Sequence, residues 1–277
     1  MESPVPESRT QAVDRAIDVL DALKDAGRPV GVRALASTVG VSPGTMHRLL
    51  STLKERGLVQ QDEESRAYWL GWGLVDYSNL LLRASSRIAE IAAPYAERLS
   101  DLTRETVTVQ VPAGVWCVCV FEINGSHELQ RRVGVGRRIP LYAGASARSI
   151  LAFLPKDIVE RVLSPDALVQ VAPNTIVDPR VVREHLAEIA AARLAWSQEE
   201  SALGIAALAS PLLRHDGTAA GSLSISGPVE RWNRTSMAAF EEPLGQAAAE
   251  ISALLGYRVP ASTDLEVVVS DQSSNGG

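Results

Sequence analysis

The chain has 277 residues, 46% of them hydrophobic and 22% charged, with 27 Lys/Arg against 33 Asp/Glu and a formal net charge of −6. This length exceeds one ordinary domain, and the acidic balance excludes a protein coated with nucleic acid over its whole surface. No apolar run approaches the roughly 18 to 20 residues that span a bilayer, and Met1-Glu2-Ser3-Pro4-Val5-Pro6-Glu7 lacks the basic start and apolar core of a signal peptide, so the cytoplasm, away from any membrane, is the expected location.

Residues 1–9 read as a flexible N-terminus. A helix is expected over about Ala12 to Ala26, with Val13, Ile17, Leu20 and Leu23 turned inward. A short helix from Val32 to Val39 follows, with Leu35, Ala36 and Val39 on one face, and Gly40-Val41-Ser42 is the turn after it. Ser42 suits the N-cap of the next helix, and Pro43 suits its first position, where a missing N–H costs nothing. Met46, Leu49, Leu50 and Leu53 form the buried stripe of that helix. Its other face carries Thr45, His47, Arg48, Ser51 and Thr52, hydrogen-bonding groups of the kind a recognition helix presents to base edges and phosphates. Gly57 stops the helix, and residues 58–61 and 66–70 then make two strands around the polar turn 62–65. This is the order of a winged helix-turn-helix over residues 10–72. Ser42, Thr45, His47, Arg48, Ser51 and Thr52 are its candidate DNA contacts, with Arg66 added from the wing. From Arg9 to Arg66 there are nine basic and eight acidic residues, so attraction to phosphate has to come from where the charges sit.

Residues 73–86, with the apolar run from Leu74 to Leu82, are expected to form a helix that joins the two domains and pairs with a copy of itself. A separate helix near 88–103 opens the larger domain, assigned to residues 87–258. Strands are expected at 106–111, 115–123, 128–133, 206–213 and 219–226, with helices at 145–154, 156–163, 179–192 and 235–255. Antiparallel strands interleaved with helices make an α+β sensor-like domain. Cys117 and Cys119 fall on one face of a strand and read as small buried hydrophobes rather than metal ligands. No metal site and no cofactor are expected. Residues 259–277 are polar apart from Val267-Val268-Val269 and read as a disordered tail.

The order of residues from about Thr10 to Tyr257 resembles the IclR-type bacterial transcriptional regulators. In the first domain the likeness rests on Ala12 to Leu20, Ser42 to Leu50 and Gly71. In the second it rests on Gly136-Arg137-Arg138-Ile139-Pro140-Leu141, Pro173-Asn174-Thr175-Ile176, Glu199-Glu200 and Leu223 to Pro228. The resemblance implies a GAF-like α/β effector-binding domain, a homodimer or homotetramer, binding to double-stranded operator DNA, and control by a small-molecule effector, with repression as the expected outcome.

Carried over by position, the effector meets backbone amides at Ala145 and Ser146 and the hydroxyls of Ser224 and Ser226. A loop entering a helix at Tyr142-Ala143-Gly144-Ala145-Ser146 can aim N–H groups at an anion. Arg148, one turn on, is a candidate counter-charge. Ser197-Gln198 stands where the family often has an acid before its Glu-Glu pair, and Ala207 where some members have a cysteine. Both departures imply a roomier, less charged pocket. The expected effector is therefore larger or more apolar than a two- or three-carbon keto acid, an aromatic acid among the candidates, with Trp196 or Tyr142 able to stack on it. Arg131, Arg132, Arg137 and Arg138 read as a solvated basic face or a subunit contact. The rival class is a hydrolase with Ser146 as nucleophile, since Gly144-Ala145-Ser146 resembles part of a nucleophile elbow, with His185 and His215 downstream.

Overall fold

A computed structural model describes residues 10–164 and 167–258, without the side chains of 81–86. The expected N-terminal segment (1–9) and the expected disordered tail (259–277) lie outside the described residues. The chain divides into two compact units, Met1–Ala84 and Ser85–Gly277.

The smaller unit contains α1 (Gln11–Ala26), α2 (Val32–Val39), α3 (Pro43–Glu55) and the antiparallel pair β1 (Val59–Gln61) and β2 (Tyr68–Leu70). Val19, Leu23, Leu35, Met46, Leu50, Leu53, Val59 and Tyr68 close a single core. α1 faces that core through Ala16, Val19, Leu20 and Leu23, an i, i+3, i+4, i+7 stripe. Val13 and Ile17, expected inside, are instead 58% and 52% exposed. Both fall to one flank of that stripe, so this part of the apolar surface of α1 stays bare.

α4 (Gly73–Thr103) is one 31-residue helix, in place of the two expected. Arg83-Ala84-Ser85-Ser86-Arg87 offers neither glycine nor proline to stop it. In the larger unit Ile88, Ala92, Ala96 and Leu99 of this helix are buried, while Pro94 is exposed on the other side.

The larger unit is built on a six-stranded antiparallel sheet of β3 (Thr106–Ala113), β4 (Trp116–Ile123), β5 (Arg138–Pro140), β6 (Ala195–Gln198), β7 (Ile205–Leu213) and β8 (Ala219–Pro228), in the order β5-β4-β3-β8-β7-β6. The strand expected at 128–133 does not form, and β5 pairs with β4 in its place. Side chains tie down the segment that was expected to be extended. Glu122 accepts the Val133 and Gly134 amides at 2.8 and 2.6 Å, and the Thr106 hydroxyl donates to the Arg131 carbonyl. β6 was not expected at all; four residues with one tryptophan carry too little pattern to be read as a strand.

α5 (Ala145–Leu151), α6 (Lys156–Val162) and α7 (Pro179–Ala192) belong to one side of the sheet, and α9 (Glu241–Leu254) packs with α4 against the other. The long helix expected at 235–255 is broken into α8 (Arg234–Met237), a 3-10 turn at Ala238–Phe240, and α9. Pro243 explains the restart: it is tolerated in the first turn of α9 but would break a helix running through it.

The two faces of the sheet differ in chemistry. Val107, Val109, Leu208, Leu223 and Ile225 point to the α4/α9 side and form the larger core. Their neighbours Thr106, Thr108, Gln110, Ser222, Ser224 and Ser226 fall on the opposite face by the period of two and are also buried. Cys117 and Cys119 are free and buried, and burial pushes each thiol up to about 12, so both stay protonated and act as small apolar groups.

Candidate nucleic-acid interface and effector cavity

Ser42 caps α3 as its sequence suggests: its side chain accepts the Thr45 amide at 3.2 Å, and its hydroxyl pairs with that of Thr45 at 3.0 Å. Ser42 and Thr45 thus fix the first turn. Met46, Leu50 and Leu53 are buried, while His47, Arg48, Ser51 and Thr52 are exposed. On that face the Thr52 hydroxyl donates back to the Arg48 carbonyl, and among the described residues the exposed Arg48 guanidinium has no hydrogen-bond partner. In the wing, Asp62 accepts both the amide and the hydroxyl of Ser65, which hold its carboxyl below the usual range. Arg66 follows at φ 56°, in the left-handed region, and is exposed. At the base of the wing, β2 leaves through Gly71, whose amide donates to the Leu58 carbonyl, and Gly73, whose amide donates to that of Gly57.

In the larger unit a small cavity of about 20 Å³ lies between the polar sheet face and α5. Ala145, Ser146, Ala207, Ser224 and Ser226, all expected at the site, line it together. Thr108, Gln110, Arg131, Val133, Ile139 and Ser201 line it too and were not anticipated. The alternation Thr106-Val107-Thr108-Val109-Gln110 held the signal for two of them, since polar residues on every second position of a central strand need a buried polar neighbour. Thr108 and Ser224 sit opposite each other on β3 and β8 and share a hydrogen bond of 2.9 Å. The Cys117 thiol donates to Gln110 Oε1 at 2.9 Å, which leaves the Gln110 amide NH₂ as a donor. Ser226 Oγ is buried with no hydrogen-bond partner among the described residues.

Four expected contacts fall elsewhere. Ser197 acts behind the cavity wall, accepting the Ala145 amide at 2.9 Å, so that amide is already engaged. Arg148 is 1% exposed and bound to both oxygens of Glu200, with further bonds to the Tyr142 and Trp196 carbonyls. It is an internal strut and not a free counter-charge, because burying a guanidinium on the inner side of α5 demands a paired acid. Trp196 sits opposite Leu208 across the strand pair, on the other face of the sheet, half-exposed with Arg234 over its ring. Tyr142 gives its hydroxyl to the Val169 carbonyl and accepts the Val169 amide. It lines a separate, larger cavity of about 590 Å³, together with Trp116, Arg138 and Val169. Ile139 and Ser201 are common to both cavities. The roomier pocket expected from Ser197 and Ala207 is thus not found between α5 and the sheet: small side chains let α5 settle closer.

The sequence fragments that carried the family likeness meet in space. The Asn174 amide donates to the Glu199 carbonyl, the Thr175 hydroxyl to that of Glu200, and the Glu199 carboxylate accepts the Gly204 amide. That cluster holds Ser201 against Gly144, where a Cβ would come within 3.2 Å of the Ser201 Cβ. No histidine lines the cavity with Ser146, so the geometry lends nothing to a hydrolytic triad.

A winged helix-turn-helix with an unspent recognition face, followed by an α/β unit with a buried polar cavity, defines a DNA-binding regulator of transcription. Family models agree: the IclR helix-turn-helix domain matches residues 12–63, and the bacterial transcriptional regulator IclR C-terminal domain matches residues 82–253. The chain belongs to the IclR family of bacterial transcriptional regulators, whose members are regulators and not enzymes. It is 31% identical to the HTH-type transcriptional regulator KipR of Bacillus subtilis, over 80% of this chain and 88% of that one. It is 26% identical to the HTH-type transcriptional repressor AllR of Klebsiella pneumoniae, over 94% and 95% of the two chains. Among solved structures, an IclR homologue from Microbacterium hydrocarbonoxydans complexed with 4-hydroxybenzoate shares the fold at a TM-score of 0.70 and 22% identity, covering 89% of this chain and 99% of that one. Among the described residues no helix is long and apolar enough to cross a membrane.

Proposed function

We propose that the protein is an effector-controlled repressor that binds operator DNA as a dimer or a dimer of dimers and changes its DNA affinity when a small organic acid enters the cavity beneath α5. The observation that carries this reading is the face of α3, where His47, Arg48, Ser51 and Thr52 are all exposed and none serves the domain's own packing. The AllR relatives act as repressors by name, which supports that direction of control.

A cavity lined by hydroxyls, an amide NH₂ and an arginine, with no Asp or Glu in its wall among the described residues, suits an anion. The structural relative that holds 4-hydroxybenzoate supports an aromatic acid. Such a ligand fits if the Ile139 and Ser201 partition yields, because the larger cavity beyond it carries Trp116 and Tyr142. Aromatic stacking then falls to these two residues and not to Trp196.

Dimer formation rests on bare apolar surface. In the smaller unit Val13 and Ile17 of α1, Trp72, and Val75, Tyr77 and Leu80 of α4 are all exposed, Trp72 at 77%, and such surface on a soluble domain commonly marks an interface. Effector binding would shift the spacing of the two recognition helices, which must match about 34 Å to enter successive major grooves.

Arg48→Ala is expected to weaken operator binding about tenfold or more while the binding of organic acids stays unchanged. Electrophoretic mobility shift with DNA flanking the protein's own gene, at matched salt, measures this. Equal affinity of variant and parent would refute the assigned DNA face.

A further inference from the structure

Arg131 differs from Arg148 and Arg231 of the larger unit, which have carboxylate partners, and from Arg193, whose guanidinium meets the Tyr257 hydroxyl and ring. Arg148 is paired with Glu200 and Arg231 with Glu105, but among the described residues no carboxylate stands within salt-bridge distance of Arg131. The acid whose charge favours it, Glu122, spends both oxygens on the Val133 and Gly134 amides. Burial, with Arg137 adding to it, lowers the Arg131 guanidinium from its ordinary range. A partly desolvated cation beside a second cation, with no anion of its own, is an unfavourable arrangement that a bound anion would relieve.

Its position gives that vacancy of charge a use. Arg131 lines the cavity beneath α5 together with Gln110 and Ser226, and Ser226, 6% exposed, has a hydroxyl oxygen with no hydrogen-bond partner among the described residues. The Arg131 backbone is anchored, its carbonyl accepting the Thr106 hydroxyl, so the side chain needs no ordering of its own segment before it engages a ligand. A guanidinium fork is also the group best shaped for a carboxylate, with two parallel N–H donors.

We infer that Arg131 is the charge-selecting residue of this cavity, admitting a small organic acid as its ionised carboxylate and discriminating against the neutral amide of the same shape, with the Ser226 hydroxyl as the adjoining donor. This rests on the reading of the cavity as the effector site. It gives Arg131 a role apart from the solvated basic face or subunit contact expected from the sequence. Arg132, Arg137 and Arg138, which are exposed, remain outside that cavity wall.

The test uses the full-length protein and two matched probe pairs, benzoate with benzamide and acetate with acetamide, followed by calorimetry and thermal shift. The parent is expected to bind at least one carboxylate about tenfold or more tightly than its amide. Arg131→Gln should weaken that carboxylate to the level of its amide without changing the amide, while Ser226→Ala weakens both members of the pair. If Arg131→Gln keeps the carboxylate preference while Ser226→Ala loses binding, the cavity stands and the role of Arg131 is overturned. If neither substitution alters carboxylate binding, the acid binds elsewhere and the cavity reading falls with it. A ligand-free measurement decides the case in which neither pair binds: relief of the unpaired cation predicts that Arg131→Met melts about 2 °C or more above the parent, and a melting point at or below the parent's overturns the assignment.

Discussion

Arg148→Met is expected to destabilise the larger unit by about 3 to 5 kcal/mol, because it leaves the Glu200 carboxylate buried without its counter-ion. Glu200 is 8% exposed and Arg148 1%, so solvent cannot replace the lost partner. The bond also adds to the Ala145–Ser197 link between α5 and β6: Arg148 stands in α5, its NH2 group reaches the Trp196 carbonyl of β6 at 3.3 Å, and Glu200 follows the strand end that carries Ser197. Glu200→Gln should cost less than Arg148→Met, since the amide keeps an acceptor for the guanidinium. The double variant should be less destabilised than the sum of the two, the mark of a shared interaction. Chemical denaturation of the four proteins measures the coupling. Strict additivity would show that the pair is not the strut described.

The second large effect lies in the smaller unit. Gly71→Ala is expected to disrupt the wing at a cost of about 3 kcal/mol or more and to abolish operator binding. A Cβ at Gly71 would fall 2.1 Å from the Gly57 carbonyl oxygen and 2.8 Å from the Val59 amide nitrogen. Both are backbone atoms of the segment that leads from α3 into β1, so no side-chain rotation can make room. Displacing that segment moves Val59, part of the core that seats Met46 and Leu50, and with them the orientation of the recognition face. Gly245→Ala is the control: nothing lies within 4 Å of a Cβ there and α9 already surrounds it, so stability should hold or rise slightly. Circular dichroism melting and a mobility shift report the two properties separately. A Gly71→Ala protein that binds DNA like the parent would mean that the base of the wing tolerates an opening of more than 1 Å.

The resemblance that rested on scattered fragments is explained by contacts between them. Glu199-Glu200 and Pro173-Asn174-Thr175-Ile176 are distant in the chain, yet the Asn174 amide and Thr175 hydroxyl bond the two glutamate carbonyls. They hold a wall of the cavity and do not themselves line it. This distinction could not be read from spacing. A glutamate destined to pair with a buried arginine and one destined for a ligand look alike until the partner is in place.

α2, α3 and the wing were determined locally, by Ser42 and Pro43 at a helix start, an apolar stripe of period 3.6, and glycines where the chain turns, all of which act within a few residues. The alternation in β3 and β8 likewise fixed which residues share a face. What tertiary structure alone decided was which apolar surface stays bare, as at Val13 and Ile17, and which arginine is already paired. Arg148 and Arg131 carry the same side chain; one found an acid fifty-two residues away, the other did not. Coulomb energy depends on distance in space, and one-dimensional order does not contain that distance.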